Sequence, residues 1–226
     1  MPITLAFLGL AGLTALALLA RREAKTAAAT RYSILDAGLN VFDSGDISLE
    51  PSGFPKIEGK LKGRAYRVAL IPDTLTIRRL PQLWLDVTLK RDMPAVRGSV
   101  AILVRPSGAD YYSLTDRLRD QLQPPWNFPE NCLIKGQGPA SQLTLDRIAP
   151  EVALLLRDPK IKEVAVSARG VRVVRQFAQG NRGHHLILRQ SVFEGAGFEA
   201  GELESVIRAI TRIESTLLVS NLVSAA

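Results

Sequence analysis

QLWLDVTLK, residues 82–90, alternates without a break. Leu83, Leu85, Val87 and Leu89 fall on one face of an extended chain, and Trp84, Asp86 and Thr88 fall on the other. A period of two marks a strand with one buried face. Upstream, KIEGKLKGRAYRVALI (56–71) reads the same way: Ile57, Gly59 and Leu61 lead into a Lys62-Gly63 turn, and Tyr66, Val68 and Leu70 lead out of it. Downstream, SVAILVRP (99–106) contributes Val100, Ile102 and Val104. Four strands within about fifty residues, with short connections, predict an antiparallel sheet half buried against other elements.

The spacing then changes. Residues 113–122 read as a short helix, with Ser113 and Asp116 at capping-box-like spacing and Leu114, Leu118 and Leu122 on one face. QPPWNFPENC (123–132) breaks it, and a loop is expected to run on through GQGPAS (136–141). Beyond it, TLDRIAPEVALLLRDP (144–159) has helical spacing. KEVAVS, VRVVRQF and HHLILRQSVF then read as three strands separated by turn signals. From about Gly201 the stripe Leu203, Val206, Ile207, Ile210, Ile213, Leu217 and Leu222 predicts an amphipathic C-terminal helix. The fold class expected is α+β: antiparallel β-sheet, as one sheet or two, covered by helices.

The N-terminal stretch adds a membrane expectation. Residues 3–20 carry no charge and only Thr4 and Thr14 as polar interruptions, a helix of roughly 27 Å. Nothing basic precedes the run, whereas Arg21, Arg22, Lys25 and Arg31 follow it, the reverse of a secretory signal. The reading is a single N-terminal transmembrane helix, N-terminus outside and C-terminal domain cytoplasmic, as in a bacterial inner membrane. Gly9, Ala11, Gly12 and Ala15 are small enough to seat it against another membrane helix. The expected organisation is an anchor (1–20), a juxtamembrane helix and loop (21–53), a β-rich subdomain with a short helix and Pro-rich loop (54–140), and an α-β-β-β-α subdomain (141–226).

Composition narrows the chemistry. With 46% hydrophobic and 23% charged residues the chain can bury a real core. A single cysteine, Cys132, excludes an internal disulfide framework and a Cys-rich zinc site. The adjacent His184 and His185 point to opposite faces of a strand and do not readily share a metal. The sequence carries no G-x-S-x-G, P-loop, HExxH or EF-hand pattern. No catalytic, cofactor or metal residues are therefore assigned, and an enzyme using His184 or His185 as base is kept as an alternative.

The net charge of +7 favours anionic surroundings. Nine basic residues lie between Lys56 and Arg91 against three acids, and five arginines and no acid lie between Arg169 and Gln190. Arg21, Arg22 and Lys25, with Arg172, Arg175 and Arg189, are the expected contacts for anionic headgroups or an acidic partner. Nucleic acid is disfavoured, because aromatics do not interleave with these charges. Trp126 and Phe128, held among prolines, form the expected partner-contact loop. Together these features predict a non-catalytic accessory or scaffold subunit of a membrane protein complex. A peripheral sensor of anionic lipid is the further alternative.

Overall fold

The computed structural model describes residues 31–73, 80–182, 193 and 198–223, with 14, 18 and 22 besides. Among the described residues nine strands form one sheet: β1 (Ser44–Leu49), β2 (Pro55–Leu61), β3 (Arg64–Asp73), β4 (Gln82–Lys90), β5 (Ser99–Val104), β6 (Asp120–Gln121), β7 (Cys132–Gln137), β8 (Ile161–Ser167) and β9 (Gly170–Gln179). Their order across the sheet is β1-β2-β3-β4-β9-β8-β5-β7-β6, and every neighbouring pair is antiparallel. Strands from both halves of the chain thus join one sheet, with β4 against β9 and β5 against β8. The helices are α1 (Asp36–Leu39), α2 (Ser141–Leu155) and α3 (Ala200–Val223), with 3-10 turns at Ser33–Leu35 and Thr115–Arg117.

This corrects the membrane architecture. Among the described residues no helix is long and apolar enough to cross a membrane. Of residues 3–20 only Thr14 and Leu18, both helical, are described, so the run itself, with Gly9, Ala11, Gly12 and Ala15, lies outside them. In place of an anchored α+β protein stands a largely antiparallel β-sheet domain with a few helices.

Alternation places the core on one face. Leu83, Leu85, Val87 and Leu89 of β4 are all buried, and Val171 and Val173 of β9 and Val164 and Val166 of β8 continue that surface. Helix α2 packs over β5 and β7, α3 over β9 and β4, and the two helices touch. Leu203, Val206, Ile207, Ile210, Ile213 and Leu217 form the buried stripe of α3; the side chain of Leu222 lies outside the described residues. At the β2–β3 hairpin Lys62 and Gly63 both take positive φ (49° and 74°), the twist that a two-residue turn between antiparallel strands requires. Gly170, which opens β9 at φ 144°, leaves room for the Leu89 carbonyl that a Cβ would strike.

Three segments differ from expectation. SGDISL reads as a loop because its polar residues mask the alternation, yet it is the edge strand β1, half exposed and zipped to β2 from Ser44↔Lys60 to Leu49↔Pro55. CLIKGQ forms β7 along β5 despite its glycine. The helix expected over residues 113–122 is one 3-10 turn followed by the two-residue strand β6, because side chains of the sheet claim the groups that would start it, as described below.

One carboxylate joins α3 to the sheet. Glu214 is fully buried (0% exposed) and pairs with Arg64 of β3 at 2.8 Å and with Arg91, just past β4, at 2.6 Å. Both arginines keep partial access to water and can turn outward if the carboxylate is lost. Glu214→Ala is therefore expected to lower unfolding free energy by about 1–3 kcal/mol, less than loss of a fully buried pair. Urea unfolding measures it, and an unchanged midpoint would show that the clamp carries no stability.

Candidate functional site

Among the described residues no α-helix covers the face of the sheet opposite α2 and α3. Residues 105–131 close it instead, and charges hold them there. The anchor is Glu163, which stands beside a β-bulge. Ile161 stands opposite Arg175 and Glu163 opposite Val174, so β8 has one residue more than β9 at Lys162. Glu163 faces the covering loop by simple alternation with Val164, and the extra residue at Lys162 lets Ile161 return to the helix-covered core.

Glu163 is 0% exposed, and both of its oxygens are taken. One accepts from the Ser113 hydroxyl at 2.6 Å and from the Leu114 amide at 2.7 Å. The other accepts from Arg172, whose guanidinium also reaches Asp86 at 3.0 Å and donates to the Tyr112 carbonyl at 3.1 Å. Asp86 accepts in turn from Thr88 at 2.9 Å. A second tie joins Lys162 to Asp110 at 3.3 Å and to the Arg105 carbonyl, while the Ser107 amide and hydroxyl donate to Asp110. The Ser113 hydroxyl thus donates to a sheet carboxylate while its oxygen accepts from the Thr115 amide at 3.1 Å. Tyr112 stacks obliquely on Trp84 with ring centroids 5.3 Å apart.

Burial pushes the Glu163 carboxyl above the ordinary glutamate range, against the pull of Arg172, the Ser113 hydroxyl and the Leu114 amide. Burial acts on Asp110 too, but the Ser107 donors and Lys162 outweigh it and hold that carboxyl below the aspartate range. Burial also raises the Tyr112 phenol and the Cys132 thiol, leaving the half-buried Cys132 protonated at neutral pH.

Pinning this loop leaves a cleft of about 240 Å³ against the sheet. Ala101, Ala165, Leu114 and Leu118 line its apolar part; Arg117 and Arg169, both exposed, stand at its mouth, and Arg172 at its inner wall. Farther along the same segment the prolines present a second feature. Phe128 is buried and fastens the loop to the core, whereas Trp126 is 95% exposed. The two aromatics have opposite fates.

The expected charge contacts divide as well. Arg172 and Arg175 are turned inward, with side chains 12% and 10% exposed. Arg172 serves the network above, and Arg175 pairs with Asp158 at 2.8 Å and with Glu202 of α3 at 2.9 Å. Neither side chain is free for a lipid headgroup. Of the remaining expected contacts Arg22 is described, while Arg21, Lys25 and Arg189 lie outside the described residues, as do His184 and His185. Much of the basic surplus between Lys56 and Arg91 is also paired internally: Lys56 and Arg67 with Glu50, Lys90 with Glu58, and Arg64 and Arg91 with Glu214. Among the described residues no group of three or more His, Cys, Asp or Glu is placed to hold a metal ion.

Glu163→Gln and Asp110→Asn are expected to respond to pH in opposite senses. Folded Glu163 keeps a proton that the unfolded chain releases above about pH 4.3, so its ionisable form loses stability as pH rises from there. The cost of glutamine should shrink along that rise. Asp110 contributes fully above its unfolded value of about 3.9, and this contribution drains as pH falls below it, so asparagine should cost most near neutrality. Urea unfolding of the three proteins between pH 3 and 7 tests both signs; parallel stability profiles would refute the assignment. No family model matches the chain, and neither does a curated protein or a solved structure.

Proposed function

We propose that this protein is a non-catalytic accessory or scaffold subunit that assembles with a partner protein through the loop carrying Trp126. The observation that carries the reading is the pairing of one fully presented indole with a buried anchor two residues later. Large aromatics in monomers are ordinarily well covered, and exposed tryptophan is the residue type most enriched where protein surfaces meet. Pro124, Pro125 and Pro129 restrict the backbone around it, and Phe128 ties that backbone to the core, so little ordering remains to be done when the indole docks. The partner chemistry that fits is an apolar socket of indole size, ringed by hydrogen-bonding groups that meet Gln123, Asn127 and Asn131.

Trp126→Ala is expected to leave stability within about 0.5 kcal/mol, as for an exposed side chain that touches little, whereas Phe128→Ala should cost about 3 kcal/mol. A photo-crosslinking residue at 126 in the full-length protein, expressed in its native cells, should trap one protein in stoichiometric yield. The same residue at Leu143, half exposed on α2, should trap none. Equal, diffuse crosslinking from both sites, or none from 126, would reject the docking role.

A further inference from the structure

A cleft with an apolar interior, an inner arginine already paired and two exposed arginines at its mouth selects for one kind of small molecule. From the sheet register and the placement of these side chains we infer that the cleft under the Leu114–Leu118 turn binds an amphipathic monocarboxylate, its apolar end inside and its carboxylate between Arg117 and Arg169.

The hollow is written into the register. Across this face of the sheet, neighbouring strands bring Thr88 opposite Arg172, Arg172 opposite Ala165 and Ala165 opposite Ala101. Two alanines side by side leave a depression that larger β-branched residues would fill. The turn at residues 114–118 roofs this depression instead of filling it, because Glu163 holds the Leu114 amide and the Ser113 hydroxyl. The 240 Å³ enclosed compares with roughly 150 Å³ for an apolar cavity that takes benzene, which gives room for about ten non-hydrogen atoms.

Charge settles which end lies where. Arg172 already has Asp86 and Glu163 and contributes no free charge. Thr88 donates to Asp86, and the Ser167 hydroxyl accepts from the Arg169 amide. Arg117 and Arg169 differ: both are exposed, both line the cleft, and neither has a carboxylate within ion-pair distance among the described residues. None of the described residues lining the cleft is acidic. A cation would meet repulsion and a sugar phosphate would waste the apolar walls. A carboxylate suits the planar guanidinium fork, and a short acyl or aryl body suits the leucines and alanines behind it.

Octanoate is the probe, at ten non-hydrogen atoms. Isothermal titration of the full-length protein at low salt should give saturable one-to-one binding, at least about tenfold tighter than 1-octanol, which matches its body and lacks its charge. Arg117→Gln with Arg169→Gln should weaken octanoate by about tenfold or more while leaving octanol binding and the unfolding midpoint unchanged. Ala165→Leu, which fills the hollow, should abolish binding of both. Should that variant fail to fold, the arginine pair and the octanol comparison decide alone. Absence of saturable binding at millimolar octanoate, equal affinity for octanol, indifference to the arginine pair, or binding retained in folded Ala165→Leu would each overturn the assignment.

Discussion

A carboxylate with no access to water cannot be left half satisfied, and Glu163 is the point from which one whole face of this protein is arranged. Its two oxygens reach in different directions, one to Arg172 on the neighbouring strand and one to Ser113 and Leu114 on the covering loop. An unpaired charge at that depth would cost several kcal/mol, so the loop, the arginine and the carboxylate are stable only as a set. Asp86 shares the same guanidinium, and its like charge adds to the rise of the Glu163 carboxyl. What looks like a surface loop is therefore fixed at its middle as firmly as a core element.

The two faces of the sheet are closed by different physics. Under α2 and α3 the contact is largely apolar, and among the described residues its fully buried charge, Glu214, lies where α3 meets the ends of β3 and β4. On the opposite face the closure is polar and specific, made by a few directional bonds around small apolar patches such as Trp84, Tyr112 and Val174. Apolar packing excludes space efficiently, whereas a polar tie fixes position and tolerates hollows beside it. The cleft lies on the second face for that reason, and the loop that presents Trp126 extends from the same closure.

How much of this was legible varies with the kind of signal. Strands β2 to β5, β8 and β9, and the stripe of α3, stand out because each buries one face and alternates or recurs accordingly. Strands β1 and β7 do not. The first is an edge strand whose outer residues are polar, and the second carries Gly136 where Ser141 and Leu122 crowd in. Sequence pattern showed that Trp126 and Phe128 belong together but not that they part company, since exposure is decided by where the loop meets the core. The relay from Asp86 to Glu163 was hidden more deeply. In KEVAVS the glutamate alternates with valines that point the other way, but its partner Arg172 lies on the neighbouring strand and Ser113 on a loop fifty residues upstream, so nothing local reveals the pairing. Arg172 and Arg175 read as free surface charge because their carboxylate partners are distant in sequence. The apolar run at 3–20 shows the converse limit. Hydropathy alone suggests a spanning helix there; the run lies outside the described residues, and among those no helix is long and apolar enough to cross a membrane.

The pairing of β4 with β9 has a consequence for how the chain is made. Strands β1 to β4 form a meander of neighbours and can zip up as they leave the ribosome. The outer edge of β4, however, must wait for β9, and the intervening residues 91–169 take on the order of ten seconds to synthesise. Through that interval a growing chain displays an open strand edge and the bare leucines of residues 83–89, the combination most prone to pair with a second nascent chain. Crowded translation on one message is thus the circumstance in which this architecture is most exposed, and slow passage through residues 91–169 would harm it more than slow passage anywhere upstream.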